Sequence, residues 1–219
     1  MVIMMGKKIN EEKKNNIILG VGVFAIAILI VTGIFIIPYM LTDIKNNDKP
    51  TEEVEKKFVD EYPEVGKDNV FVVKSAKEVI KVLEHGTGVV YLGFPECPWC
   101  QEYVLYLNEV AKDEGLDKIY YFNILNDRRD NTKDYQKIVS LISEHLQYDD
   151  EGNKRVYVPA VIAVDEGKIV GFDDETAWDT KGFEKPEDYW TDEEVDDLKD
   201  KLEDMIEKVT PKTCTDCNK

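Results

Sequence analysis

An α/β domain, with a mixed sheet between helix layers and one transmembrane helix ahead of it, is the architecture this sequence predicts. Three observations carry the expectation. An uncharged run of 21 residues, IILGVGVFAIAILIVTGIFII, extends from Ile17 to Ile37. From Asn69 to Val209, short apolar runs alternate with amphipathic segments. Two cysteines, Cys97 and Cys100, stand where one of those apolar runs meets an amphipathic one, in GFPECPWCQEY, residues 93–103.

The first element in chain order is the apolar run. Its length matches the ~20 residues that cross a bilayer, whereas the apolar core of a cleavable signal peptide is only ~7–15 residues and ends in small residues before a cut. Here the run continues into PYMLTDIKNN with no such site. Lys7, Lys8, Lys13 and Lys14 precede it, and Lys45 is the first basic residue after it. Basic flanks stay cytoplasmic, so the bulk of the chain is expected outside the cell membrane as a single-pass protein. The resulting division is a cytoplasmic N-terminus (1–16), a signal anchor (17–40), a flexible tether (41–68), the α/β domain (69–209) and a C-terminal tail (210–219). The tether TDIKNNDKPTEEVEKKFVDEYPEVGK is polar and short of large apolar residues, with room for one short helix around Glu52–Tyr62.

Within the domain, NVFVV reads as a strand. SAKEVIKVLEHG follows as a helix: Ser75 and Glu78 form a capping box, Val79, Ile80, Val82 and Leu83 keep near-helical spacing, and Gly86 closes it. GVVYLGF is apolar throughout, as expected of a strand covered on both faces. The cysteines come next and lead into the helix WCQEYVLYLNEVAKDEG. KIYYFNI is a further strand, TKDYQKIVSLISEHLQ a further helix, and EGNK a turn before VYVPAVIAVDEGKIVGF, two strands joined at DEGK. TDEEVDDLKDKLEDMIEKV, capped by Thr191, is the last helix. Strands alternating with helices in the order β-α-β-α-β-α-β-β-α imply a mixed sheet between helix layers.

Charge and cysteines limit the function. With 45 acidic residues against 28 basic ones the net charge is −17, so the chain lacks the basic face a nucleic-acid partner requires. Outside the membrane disulfides form and persist, which makes thiol chemistry available. Cys97-Pro98-Trp99-Cys100 can be a redox couple, half of a metal site or a structural bridge. The first turn of a helix has unpaired N–H groups and the positive end of the macrodipole, which stabilise a thiolate at Cys97. Pro98 suits that turn because it has no N–H to lose. A bridge across two residues restrains little of the unfolded chain. Zinc could take four thiolates by adding Cys214 and Cys217. Those lie more than a hundred residues away, and no metal site is expected. His85 and His145 read as residues near helix ends. DDETAWDTKGFEKPEDYW reads as a loop packing Trp178 and Trp190 on the sheet edge or last helix, or as a rim beside the cysteines.

Strand-CPWC-helix, the element order and YVPAV together resemble the thioredoxin superfamily over Asn69 to Val209. Within it the chain is similar to extracellular, membrane-anchored thioredoxin-like proteins of bacteria, including bacteriocin transport accessory proteins. The resemblance implies a thioredoxin fold and a thiol–disulfide oxidoreductase acting on protein thiols and disulfides outside the membrane. Cys97 and Cys100 would be the catalytic pair, with no cofactor beyond them. Trp99, Val158 and Pro159 would bind substrate, with Pro159 in a cis peptide against the cysteines. The alternative is a non-catalytic accessory protein using the same fold to bind a secreted peptide or transporter. The chain departs from thioredoxins proper at Tyr91, where they carry a buried acid, and at Glu96, which opposes a Cys97 thiolate. With no basic residue between the cysteines, a reducing to intermediate couple is expected. The tail dithiol, separated from Val209 by the four residues TPKT, is expected to be dispensable for exchange.

Overall fold

The structure is a computed structural model and describes residues 52–177 and 182–210. The apolar run, Trp178 and the tail cysteines Cys214 and Cys217 lie outside the described residues. Among the described residues no helix is long and apolar enough to cross a membrane.

Five strands form one mixed sheet: β1 (Phe71–Val73), β2 (Gly88–Gly93), β3 (Ile119–Asn123), β6 (Ala160–Asp165) and β7 (Lys168–Asp173). Their spatial order is β1-β3-β2-β6-β7. The β1–β3 and β3–β2 pairs are parallel, and β2–β6 and β6–β7 are antiparallel. A small separate hairpin, β4 (Gln147–Tyr148) with β5 (Lys154–Arg155), interrupts the connection to β6. The helices are α1 (Glu52–Glu61), α2 (Ala76–His85), α3 (Pro98–Asp113), α4 (Leu125–Arg129), α5 (Lys133–Leu141), α6 (Pro186–Tyr189) and α7 (Asp192–Glu207). α2 packs with α5, and α3 with α7, so the sheet is covered by helices as the alternating pattern implies.

Local chemistry sets these elements. The Ser75–Glu78 capping box is complete, and Thr132 and Thr191 each accept a backbone N–H at the start of α5 and α7. The β6–β7 turn uses Glu166 at φ 47° and Gly167 at φ 78°. A Cβ at Gly167 would lie 2.2 Å from the Glu84 carbonyl oxygen, so only glycine fits there. Short helix α6 occupies part of a segment read from sequence as a loop, α4 fills the stretch between the third strand and the following helix, and α5 stops at Leu141, short of the expected Gln147.

One boundary needs correction. Residues 52–68, expected within a flexible tether, form α1 and a 3₁₀ turn (Pro63–Val65) whose Phe58 and Tyr62 are fully buried. Phe58 stacks on Phe71 with ring centroids 4.2 Å apart and meets Tyr121 edge-on at 5.0 Å. The reason is spacing: two aromatics four residues apart fall on one helix face, so a segment poor in apolar residues still buries a concentrated aromatic pair. The compact unit therefore begins near Thr51 rather than at Asn69.

Candidate functional site

β2 is the central strand, and its end delivers the cysteines. After Gly93 a tight turn through Phe94–Glu96 leads to Cys97, the N-cap of α3. Cys97 Sγ accepts the Cys100 backbone N–H at 3.4 Å, and its carbonyl accepts the N–H groups of Cys100 and Gln101. The Gln101 side chain fixes the approach, donating to the Pro95 carbonyl at 2.8 Å and to the Glu61 carbonyl at 3.2 Å. Cys97 is 9% exposed and Cys100 is 0% exposed, so only Cys97 can meet a substrate sulfur directly.

β2 pairs with β6, which brings residues about sixty positions later against this turn. Protonated Cys97 points its thiol at the Val158 carbonyl, 3.9 Å away, and the Val158–Pro159 peptide is cis. Val158 is half-buried and Pro159 buried. The structure thus brings Cys97, Cys100 and Val158 together, with Pro159 directly after Val158 in the chain. Trp99 faces a different neighbour: half-buried, its ring meets Tyr189 edge-on at 5.4 Å. Tyr189 continues to Phe183 at 6.4 Å and Trp190 at 4.8 Å, and Trp190 reaches Tyr106 on α3 at 5.2 Å. Over residues 183–190 the loop read as either a packed segment or a rim packs on α3 through Trp190 and touches Trp99 through Tyr189.

The two thiols titrate in opposite directions. The Cys97 thiol is lowered to about 7. The Cys100 thiol hydrogen-bonded to it contributes most, and burial works against the shift. Backbone N–H groups of Cys100 and Trp99 and the charge of Arg128 add to the lowering. The Cys100 thiol is pushed up by burial first and then by the sulfur of Cys97, while Phe94 and Tyr91 pull it partly back. One thiol is therefore poised as a nucleophile at neutral pH, and the other holds its proton.

Arg128 was not anticipated from sequence. It lies on α4, its Nη1 donates to the Val156 carbonyl at 3.2 Å, and its guanidinium sits 4.9 Å over the Phe94 ring. It therefore bridges the cysteine turn and the segment leading to Pro159. The one available signal was rarity, since the chain contains three arginines, Arg128, Arg129 and Arg155.

Beneath Cys100, Tyr91 occupies the core with Tyr62, Tyr103 and Tyr121, all fully buried. Tyr103 donates to Asp173 at 2.5 Å, and Lys201 Nζ lies 2.6 Å from the other oxygen of that carboxylate, tying α3 to β7 and α7. The hydroxyls of Tyr62 and Tyr91 make no hydrogen bond. Each such buried hydroxyl costs about 1–3 kcal/mol. Tyr91 also dictates its neighbour: a Cβ at Gly93 would lie 2.5 Å from the Tyr91 hydroxyl oxygen, so that strand position must stay bare.

Among the described residues no group of three or more His, Cys, Asp or Glu side chains is arranged to hold a metal. His85 and His145 are both exposed, and His145 stacks on Phe172 at 5.2 Å. No family model, curated protein or solved structure matches this chain.

Proposed function

We propose that this chain is a membrane-anchored thiol–disulfide oxidoreductase with a thioredoxin-type domain, acting on extracytoplasmic proteins through Cys97 and Cys100. The observation that carries the reading is the division of labour in one helical turn. Cys97, 9% exposed and with a thiol lowered to about 7, lies beside a fully buried Cys100 whose proton is held tightly. The element order and the cis Val158–Pro159 peptide facing Cys97 support the thioredoxin-type assignment.

In the reducing direction, the Cys97 thiolate attacks a substrate disulfide. One Cys97–substrate S–S bond forms as the substrate S–S bond breaks, and a substrate thiolate leaves and takes a solvent proton. Deprotonated Cys100 then attacks Cys97 Sγ, forming the Cys97–Cys100 disulfide and releasing the second substrate sulfur. Two electrons pass from the cysteine pair to the substrate, and the reverse sequence oxidises a substrate dithiol. Half-buried Val158 offers its backbone as an edge for an extended substrate segment, and Trp99 forms the opposite border. The chain needs no further cofactor for this chemistry.

A thiol near 7 supports a couple in the reducing to intermediate range, because strongly oxidising members of this chemistry hold thiols as low as about 3.5. The deciding experiment is a Cys100→Ser trap in cells producing the full-length chain. Mixed disulfides that form at Cys97 and disappear in Cys97→Ala support the reading. Co-purification of partners independent of both cysteines would replace it with the accessory-binder alternative.

A further inference from the structure

Arginine is scarce in this acidic chain, and the fold places two of its three arginines, Arg128 and Arg155, on the stretch of backbone that leads to Val158. Arg128 Nη1 donates to the Val156 carbonyl at 3.2 Å, which holds its guanidinium against the backbone next to Arg155. The same guanidinium lies 4.9 Å over the ring of Phe94, three residues before Cys97. The Arg155 guanidinium sits 5.7 Å over the ring of Tyr157, and Tyr157 adjoins Val158, whose carbonyl faces Cys97. Burial first, and then the charge of Arg155, lower the Arg128 pKa, as two neighbouring cations must.

Neither guanidinium is paired with a carboxylate among the described residues. Arg155 Nε is buried without a hydrogen-bond acceptor. Both side chains are half-buried, and a desolvated charge without a partner is costly. Half-buried lysines elsewhere are treated differently: Lys74 meets Glu78, Lys199 meets Glu109 and Lys201 meets Asp173. The acids nearest Arg128 in sequence are engaged otherwise, since Asp127 accepts from the Thr132 hydroxyl and Asp130 pairs with Arg129. Lys154 is engaged too, donating to the Leu146 carbonyl and lying over the Tyr148 ring. With 45 acidic residues in the chain, two arginines lacking a carboxylate beside the cysteine turn call for an anion from outside.

Resting on the exchange reading above, we propose that Arg128 and Arg155 select substrates that carry an Asp or Glu side chain close in sequence to the reacting sulfur. Arg155 precedes Val158 by three residues, roughly 10 Å of extended chain. A carboxylate about two residues from a sulfur held at Cys97 is therefore within reach of the pair. Guanidinium suits the task because its planar fork binds a carboxylate through two parallel hydrogen bonds. The net charge of −17 repels acidic segments from the rest of the surface, which confines their docking to this rim. Glu96, exposed directly before Cys97, repels an acid placed against it. The two arginines bind and orient the segment and exchange no electrons with it.

The test uses the full-length chain carrying Cys214→Ser and Cys217→Ser, fully reduced, and three blocked peptides. Each peptide holds one cysteine as its 2-thiopyridyl disulfide, with Glu, Gln or Lys two positions away on both sides. Attack by Cys97 on the peptide sulfur breaks that disulfide and releases thiopyridone. Each rate is divided by the rate with 2-mercaptoethanol, which removes the peptide's own reactivity. The Glu peptide is expected to react roughly fivefold faster than the Gln peptide, the upper range for an exposed ion pair, and the Lys peptide slowest. Added salt compresses the spread. Arg155→Gln brings the Glu-to-Gln ratio close to one, and Arg155→Lys restores part of it, a rescue that a packing role would not give. Arg128→Gln, measured at pH 9 where Cys97 is already ionised, slows the Glu peptide alone. The ratio remains the readout even if a variant slows every peptide. Equal rates for Glu and Gln in the parent, or an unchanged ratio in Arg155→Gln, overturn the selection and leave the exchange reading standing. A parent chain that releases no thiopyridone overturns both.

Discussion

Above the first turn of α3, Cys97 lies among groups that carry or attract charge: the Arg128 guanidinium, the helix N–H groups and the Val158 carbonyl. Below it, Cys100 faces Tyr91 in an aromatic core that reaches back to Phe58 on α1 and Tyr62 just beyond it. Two residues separate two environments with opposite effects on the same functional group. The contrast shows that a helix terminus does not by itself make a reactive dithiol. Both thiols lie in the same opening turn, and what separates them is desolvation, which Cys100 suffers in full while Cys97 gains compensating donors.

The comparison breaks most completely at Cys97. Cys97→Ala is expected to abolish disulfide exchange, measured as turnover of a protein disulfide, whereas Cys100→Ser preserves attack and accumulates mixed disulfide on non-reducing gels. Turnover surviving Cys97→Ala would contradict the assignment of Cys97 as the nucleophile. The aromatic side is next. Phe58→Ala removes a fully buried ring, and chemical denaturation should show a loss of about 3–5 kcal/mol. An unchanged midpoint would return α1 to the tether.

A smaller effect sharpens the charged side. Arg128 favours the Cys97 thiolate, so Arg128→Gln raises the thiol from about 7. The deprotonated fraction then falls at pH 6–7 and is unaffected well above the thiol's pKa. Alkylation of Cys97 by iodoacetamide should slow roughly two- to threefold at pH 6.5 and not at pH 9. Equal slowing at both pH values would point to blocked access instead. The smallest effect belongs to the tail: Cys214→Ser with Cys217→Ser should leave turnover of a small disulfide unchanged.

The sheet was legible because its strands are apolar runs of four or more residues and its helices carry caps such as Ser75–Glu78 and Thr191, all local signals. The cysteine turn was legible because CPWC stands where an apolar run meets an amphipathic one, and Pro159 only through the family resemblance that YVPAV helps to carry. Phe58 and Tyr62 were not, because an average over an acidic segment hides two aromatics on one helix face. Arg128 was not, because its relation to Cys97 exists only once α4 folds back under Phe94. Tyr91 was legible as an oddity in its strand, but its partners come from the residue after α1, from β3 and from α3, and no spacing rule joins them.

The pairing of β2 with β6 has a consequence in time. The strand leading to the cysteines is completed by residues 160–165, whose register with Gly88–Leu92 holds the Val158 carbonyl over Cys97. A growing chain reaches Cys97 more than sixty residues before it reaches Ala160, and at about 5–20 residues per second that is roughly 3–13 s. Through that interval the two cysteines are ordinary neighbouring thiols, without the Val158 wall beside them. The newly made protein is thus chemically immature in a way that the finished one is not. Pulse-labelling nascent chains with an alkylating agent would read that age directly, from the pH at which Cys97 begins to react.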